Sequence, residues 1–202
     1  MFKAMALTTC ALALGLTACS KPADNTTAPT AAAPSAAPAP TAPAAAAADA
    51  QQATALVALA PTKDSKVSGT LTLAQEKTGG VSIVGQVGNL EPGSKHGFHV
   101  HDKGDCSAPD GSSAGGHFNP SGMEHGDPSK ADGMHHVGDM LNIEADAQGT
   151  AQVRVTIPGA TLHDNGPNDL IGKGIIVHAA PDDYTTQPSG NSGARLACGR
   201  IA

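Results

Sequence analysis

Beyond residue 53 the apolar positions alternate with polar ones at period two. Val67-Ser68-Gly69-Thr70-Leu71-Thr72-Leu73 and Val81-Ser82-Ile83-Val84-Gly85-Gln86-Val87 place most of their branched residues on one side, the mark of strands with one buried face. Thr78-Gly79-Gly80 between them supplies a tight turn. Ala151-Gln152-Val153-Arg154-Val155-Thr156-Ile157 alternates again after the turn Asp146-Ala147-Gln148-Gly149. Shorter apolar runs at Leu56–Leu59, Gly97–His101, Met140–Glu144, Ile175–Ala179 and Leu196–Ile201 complete a set of eight strands, with no helical period anywhere. This pattern predicts an all-β domain, an eight-stranded Greek-key β-barrel or sandwich. Two long loops, about residues 102–138 and 180–194, are rich in Gly, Pro, Ser and Asp. Long loops in a compact domain carry function more often than they carry structure.

The N-terminal quarter reads differently. Lys3 precedes a short apolar run, Ala4–Leu16, too short to cross a membrane and shaped like an export signal. It ends in Leu16-Thr17-Ala18-Cys19, which resembles a bacterial lipobox. That resemblance implies a signal peptide over residues 1–18, cleavage before Cys19 and lipidation of the Cys19 thiol. The alternative is ordinary secretion with Cys19 incidental. Ser20 is not the Asp that commonly marks inner-membrane retention, so the expected location is the periplasm, anchored to the outer membrane. Residues 19–53 are nearly all Ala, Pro, Thr and Ser and read as a disordered linker, leaving residues 54–202 as one domain. Of the four cysteines, Cys10 leaves with the signal and Cys19 takes the lipid. Cys106 and Cys198 remain as an even pair in an oxidising compartment, which predicts a disulfide. The formal net charge of −6 and the absence of clustered Lys and Arg exclude a nucleic-acid footprint. An anionic substrate would need a local positive site.

The chemistry concentrates in the histidines. Three of the nine lie in His96-Gly97-Phe98-His99-Val100-His101. On a strand, residues two apart share a face, so His99 and His101 present two imidazoles side by side while Val100 points the other way. Two imidazoles on one face are half of a copper or zinc site; a lone His-x-His is weak evidence, but here it is followed by more. Downstream come Gly115-Gly116-His117-Phe118-Asn119-Pro120, His125-Gly126-Asp127-Pro128 and His135-His136-Val137-Gly138-Asp139. Val177-His178-Ala179-Ala180-Pro181-Asp182-Asp183 and Gly193-Ala194-Arg195-Leu196-Ala197-Cys198-Gly199 complete the series.

Taken together, in this order and at these spacings, the motifs resemble the copper–zinc superoxide dismutases, and the resemblance covers residues 54–202. It implies one copper held by His99, His101, His117 and His178, and one zinc held by His117, His125, His136 and Asp139. His117 would then bridge the two ions through its two ring nitrogens as an imidazolate and carry protons during catalysis. Asp182 matches an aspartate that orients ligands of both metals, Arg195 an arginine that sits over the copper, and Cys106–Cys198 a disulfide bracing the adjoining loop. The implied reaction is dismutation of superoxide to dioxygen and hydrogen peroxide, protecting the cell envelope. The long Cys106–His117 segment and the short second loop look like the bacterial branch of the family. Both departures leave the carry-over of steering residues and of a homodimer interface open. Of the remaining histidines, His96 reads as a packing or hydrogen-bonding residue and His163 as solvent-facing. His135 competes with His136 for the ligand position, and motif register favours His136.

Overall fold

In the computed structural model, residues 52–130 and 132–202 are described. The signal peptide expected over residues 1–18, the lipidation expected at Cys19 and nearly all of the linker expected over residues 19–53 lie outside them. The domain consists of nine strands: β1 (Thr54–Pro61), β2 (Ser68–Gln75), β3 (Val81–Gly88), β4 (Lys95–His96), β5 (Phe98–His101), β6 (Ile143–Glu144), β7 (Ala151–Ile157), β8 (Gly174–His178) and β9 (Arg195–Arg200). The only helical element among the described residues is a single 3-10 turn, Ser112–Ala114.

The seven longer strands form one antiparallel sheet in the order β5-β8-β9-β1-β2-β3-β7, and β4 pairs with β6. Because β6 lies against β7 and only Gly97 separates β4 from β5, the two ends of the sheet are brought together and the architecture curls into a flattened barrel. Strands β1, β2 and β3 form a meander. In the order β3-β7-β6-β4 that these neighbours give, the β3–β4 connection skips β7 and β6, and the β7–β8 connection skips β6 and the β4–β5 pair in the same direction. These two crossings are of the Greek-key kind.

The alternation read from sequence is the alternation of burial. Ala55, Val57 and Leu59 of β1, Leu71 and Leu73 of β2, Val81, Ile83 and Val87 of β3, and Ala151, Val153 and Ile157 of β7 point into one core. Between β2 and β3, Gly79 and Gly80 take left-handed φ of 92° and 89°, which their lack of a Cβ permits.

The structure differs from the sequence reading in three places. The expected strand Met140–Glu144 forms only over Ile143–Glu144, so the first long loop runs on to residue 142. The expected strand Gly97–His101 starts earlier and is interrupted at Gly97, because Gly97 N–H bonds to the Ala180 carbonyl at 2.9 Å instead of to a neighbouring strand. A third long loop, residues 158–173, lies between β7 and β8. It is organised by Asp169, whose carboxylate accepts N–H bonds from His163, Asn165 and Ile171 at 3.1, 2.8 and 3.0 Å.

Strand β5 places the histidines. Phe98 and Val100 are in the core, and His99 and His101 on the opposite face are equally buried. On one side β5 pairs with β8, in the register Phe98↔Val177 to His101↔Gly174. Its other side would be a free edge, and the first long loop fills it. Val100 N–H bonds to the Gly138 carbonyl at 2.9 Å, Phe118 N–H to the Val100 carbonyl at 2.8 Å, and Gly138 N–H to the Phe118 carbonyl at 2.9 Å. These bonds place His117 beside His101 and Asp139 beside His99. Only a glycine fits at 138, since a Cβ there would lie 2.2 Å from the Val100 carbonyl oxygen.

The Cys106–Cys198 disulfide ties this loop to β9 across 92 residues of sequence. Closing a loop of that length stabilises a fold by about 4–5 kcal/mol through the unfolded state. Gly138→Ala is expected to destabilise the domain by about 1–3 kcal/mol through overpacking against the β5 edge. Urea unfolding checks this, and an unchanged midpoint contradicts the edge docking.

Candidate metal centre

Two groups of buried side chains each bring their ligand atoms within 4.8 Å of one another: His99, His101, His117 and His178, and His117, His125, His136 and Asp139. His117 belongs to both. They come from β5, β8 and the first long loop, so the core sheet and the loop docked on its edge build the site jointly.

The second group centres on one oxygen. Asp139 Oδ1 lies 2.7 Å from His117 Nδ1, 3.0 Å from His125 Nδ1 and 3.2 Å from His136 Nδ1. Four ligands at about 2.0 Å around a tetrahedral zinc would stand about 3.3 Å apart, so these spacings are a slightly contracted version of that set. His125 Nδ1, despite its closeness to the carboxylate, makes no well-formed hydrogen bond and is a buried unpaired nitrogen. The other carboxylate oxygen, Asp139 Oδ2, accepts backbone N–H bonds from Gly126 at 3.1 Å and His136 at 2.9 Å. That pair holds Oδ1 toward the three rings.

In the first group, His101 Nε2 and His178 Nε2 are 3.3 Å apart, while His99 Nδ1 and His117 Nε2 are buried without partners. The opposite nitrogens are engaged. His101 Nδ1 bonds to the Gly115 carbonyl at 2.9 Å, His178 Nδ1 to the Gly193 carbonyl at 3.3 Å and His99 Nε2 to Asp182 Oδ2 at 2.7 Å. A ring whose far nitrogen donates to a fixed acceptor presents its near nitrogen as a lone pair, which is the tautomer a metal needs. Buried unpaired nitrogens are costly, and a cation is what would satisfy them. The residues present therefore fit copper and zinc.

Asp182 spans the two groups. Its other oxygen, Oδ1, accepts from His125 Nε2 at 2.9 Å and from Tyr184 N–H at 2.6 Å. Gly190 lies directly against this carboxylate, where a Cβ would clash with Oδ1. Arg195, at the start of β9, is half-buried, and its guanidinium donates to the carbonyls of Gly111 and Gly115, each at 2.6 Å. The Gly115 carbonyl thus serves both Arg195 and His101. The positive charge of Arg195 acts on the His101 and His178 rings, helping to hold both neutral.

The metal-free site is electrically uneven. Burial pushes His178 down to about 3, with the His99 ring adding to it, and pushes His117 down to about 4 against the pull of Asp139. His101 is lowered by the same cause. Burial also disfavours a charge on His125, but the carboxylates of Asp139 and Asp182 outweigh it and raise that ring to about 9. Burial works against both carboxylates, yet the surrounding imidazoles hold them well below the usual carboxylate range.

The structure gathers His99, His101, His117, His125, His136, His178, Asp139 and Asp182 into one buried assembly. His135 stands apart, its Nδ1 turned to the His136 carbonyl at 2.7 Å. His163 is exposed and bonds to the Thr54 carbonyl. His96 is buried and holds the His178 carbonyl through Nδ1 at 2.7 Å. Sequence reading missed Gly111, Gly115 and Gly193, which act through carbonyls, and two amides. Asn142 pairs with both backbone groups of Asp182, at 2.8 and 2.9 Å. Gln187 does the same for His125. The repeated glycines around His117 and Arg195 were a signal for the first set; nothing local marked the amides.

A family model described as copper/zinc superoxide dismutase matches residues 67–201. The chain belongs to that family. It is 42% identical over 156 residues to the Cu-Zn superoxide dismutase of Onchocerca volvulus, covering 72% of this chain and 94% of that protein. It is 37% identical over 142 residues to the superoxide dismutase-like protein YojM of Bacillus subtilis, covering 69% and 71%. The crystal structure of a SOD-like protein from Bacillus subtilis matches at 37% identity with a TM-score of 0.66, covering 73% of this chain and 97% of that one. Members of the family are oxidoreductases that use copper and zinc, and the two side-chain groups described above suit those two metals.

The uneven titration predicts how the metal-free protein responds to pH. His117 and His178 have folded pKa values below the ordinary 6.5, so the unfolded chain takes up more protons as pH falls from about 6.5 toward 4, and stability is lost over that range. His125, raised to about 9, contributes stability that is fully present below 6.5 and lost as pH rises toward 9. The metal-free protein is expected to be most stable near pH 6.5, measured as the urea midpoint between pH 4 and 9. A flat profile contradicts the assignment.

Proposed function

We propose that this protein removes superoxide in the cell envelope, converting two superoxide anions and two protons into dioxygen and hydrogen peroxide. In this reading copper is held by His99, His101, His117 and His178, and zinc by His117, His125, His136 and Asp139. The observation that carries it is His117, with Nδ1 facing Asp139 in one group and Nε2 a buried unpaired nitrogen in the other. One ring shared by two ligand sets is what an imidazolate bridge requires.

When bound, copper supplies a one-electron redox couple that imidazole ligands support in both oxidation states, and zinc supplies a redox-inert charge. The chain does the rest. Arg195, fixed by two carbonyls, offers a small anion a guanidinium beside the first histidine group. Steering of this kind is a general property of superoxide dismutases; in an acidic chain it needs such a local cation. His117 Nε2, buried without a partner, would take up a proton and pass it to reduced oxygen. Asp182 orients His99 and His125 at once and keeps the two ligand sets in register.

Support for the envelope comes from the disulfide, which persists in oxidising compartments. The export signal and lipobox-like Leu16–Cys19 point the same way, with the linker carrying the domain away from a lipid-anchored Cys19 at the outer membrane.

Superoxide decay followed by pulse radiolysis on the copper- and zinc-loaded protein is the test. A copper-dependent acceleration is expected; background decay with both metals verified as bound overturns the reading. Arg195→Ala is expected to slow the reaction about tenfold, with a weaker salt dependence. His117→Ala should impair retention of both metals, whereas Asp139→Ala should chiefly lower zinc content, read by elemental analysis. Full zinc occupancy in the Asp139 variant refutes the ligand assignment.

A further inference from the structure

The two long loops grip each other through paired amides. From the first loop, Asn142 bonds to both backbone groups of Asp182. From the second, Gln187 reaches back to His125: the His125 backbone N–H donates to Gln187 Oε1 at 2.9 Å, and Gln187 Nε2 donates to the His125 carbonyl at 2.8 Å. The ring of the same histidine is held by the same loop, through His125 Nε2 and Asp182 Oδ1 at 2.9 Å. The second loop thus fixes His125 by backbone and by side chain. No strand does so, since His125 lies between β5 and β6 in a long irregular segment.

We infer that Gln187 is a positioning residue for the zinc-type group, clamping the backbone of His125 so that Nδ1 faces Asp139 before any metal arrives. The inference rests on the reading of His125 as a zinc ligand. Its physical basis is preorganisation. A ligand on a loop must lose backbone freedom when the metal binds, at a cost in conformational entropy. A clamp that has already removed that freedom leaves more of the coordination energy as affinity. Both backbone groups are engaged by one planar amide, so the clamp restrains rotation as well as distance. Gln187 is itself an exposed residue whose side chain reaches inward, and it contributes no atom to either ligand group.

The test uses the full metal-free chain, with zinc affinity measured by competition against a chromophoric chelator and amide hydrogen exchange read at His125. Gln187→Ala and Gln187→Met are compared with Thr185→Ala, which disturbs the same loop by removing a side-chain bond to Asp183 without touching His125. Methionine keeps the length and volume of glutamine without its hydrogen bonds, so it separates clamping from packing, and it decides the matter should the alanine variant fold poorly. Both Gln187 variants are expected to lose about tenfold in zinc affinity, near the lower end for partners that orient a metal ligand. They should exchange the His125 amide faster and lose less copper affinity than zinc affinity. Thr185→Ala should stay within about twofold of the unsubstituted protein, the change expected of a surface substitution worth under about 0.5 kcal/mol. Unsubstituted zinc affinity in Gln187→Met, or an equal loss in Thr185→Ala, overturns the inference. A His125→Ala variant that binds zinc as tightly as the unsubstituted protein would instead overturn the ligand reading on which it stands.

Discussion

The peptide groups of Val100 set the terms for the rest of the molecule. Strand β5 has β8 on one side and no strand on the other, yet it is buried on both faces. A buried strand edge with unpaired N–H and C=O groups is costly, so something must pair with it. The first long loop does so through Phe118 and Gly138, and the residues next to those, His117 and Asp139, are thereby brought beside His101 and His99. Satisfying a strand edge and assembling a metal centre are one event. It follows that the loop is ordered by the sheet, and that the site inherits the sheet's rigidity.

What is assembled is not comfortable without its metals. Six histidines and two aspartates share a volume from which water is largely excluded, and three ring nitrogens there have no partner. The aspartates divide the work of managing this. Asp139 turns one oxygen to three rings and the other to backbone N–H groups; Asp182 spreads its oxygens over His99 and His125. Because those bonds occupy the far nitrogens of His99 and His125, the near nitrogens are left to face the metal positions. Coordination would replace the unpaired nitrogens with bonds, so metal binding and folding stability are two readings of the same free energy.

The cation beside the first histidine group is held jointly by β9 and the first long loop. Arg195 opens β9, three residues before Cys198, whose disulfide to Cys106 anchors the loop segment that carries Gly111 and Gly115. Those two glycines supply the carbonyls that orient the guanidinium, and Gly115 also orients His101. One carbonyl therefore links the cation to a ring of the first group. In a chain with an excess of acidic residues, these contacts fix one guanidinium beside the first histidine group.

The sequence by itself determined the strands and the character of the centre. Alternation is local, so Val67–Leu73, Val81–Val87 and Ala151–Ile157 declared their buried faces without reference to the rest of the fold, and His99-Val100-His101 declared two imidazoles on one face. Motif order then pointed to His117, His125, His136, Asp139, His178 and Arg195. Tertiary structure decided what depends on partners distant in the chain. It turned His136 toward Asp139 and His135 away, selected which nitrogen of each ring is free, broke the strand at Gly97, and built the loop of residues 158–173 around one carboxylate. It also gave roles to Gly111, Gly115, Gly193, Asn142 and Gln187. Every residue carries a carbonyl and many carry an amide, so no local pattern distinguishes the few that meet a ring or a guanidinium; only the closing of the barrel and the docking of two loops brings those particular groups within hydrogen-bonding distance.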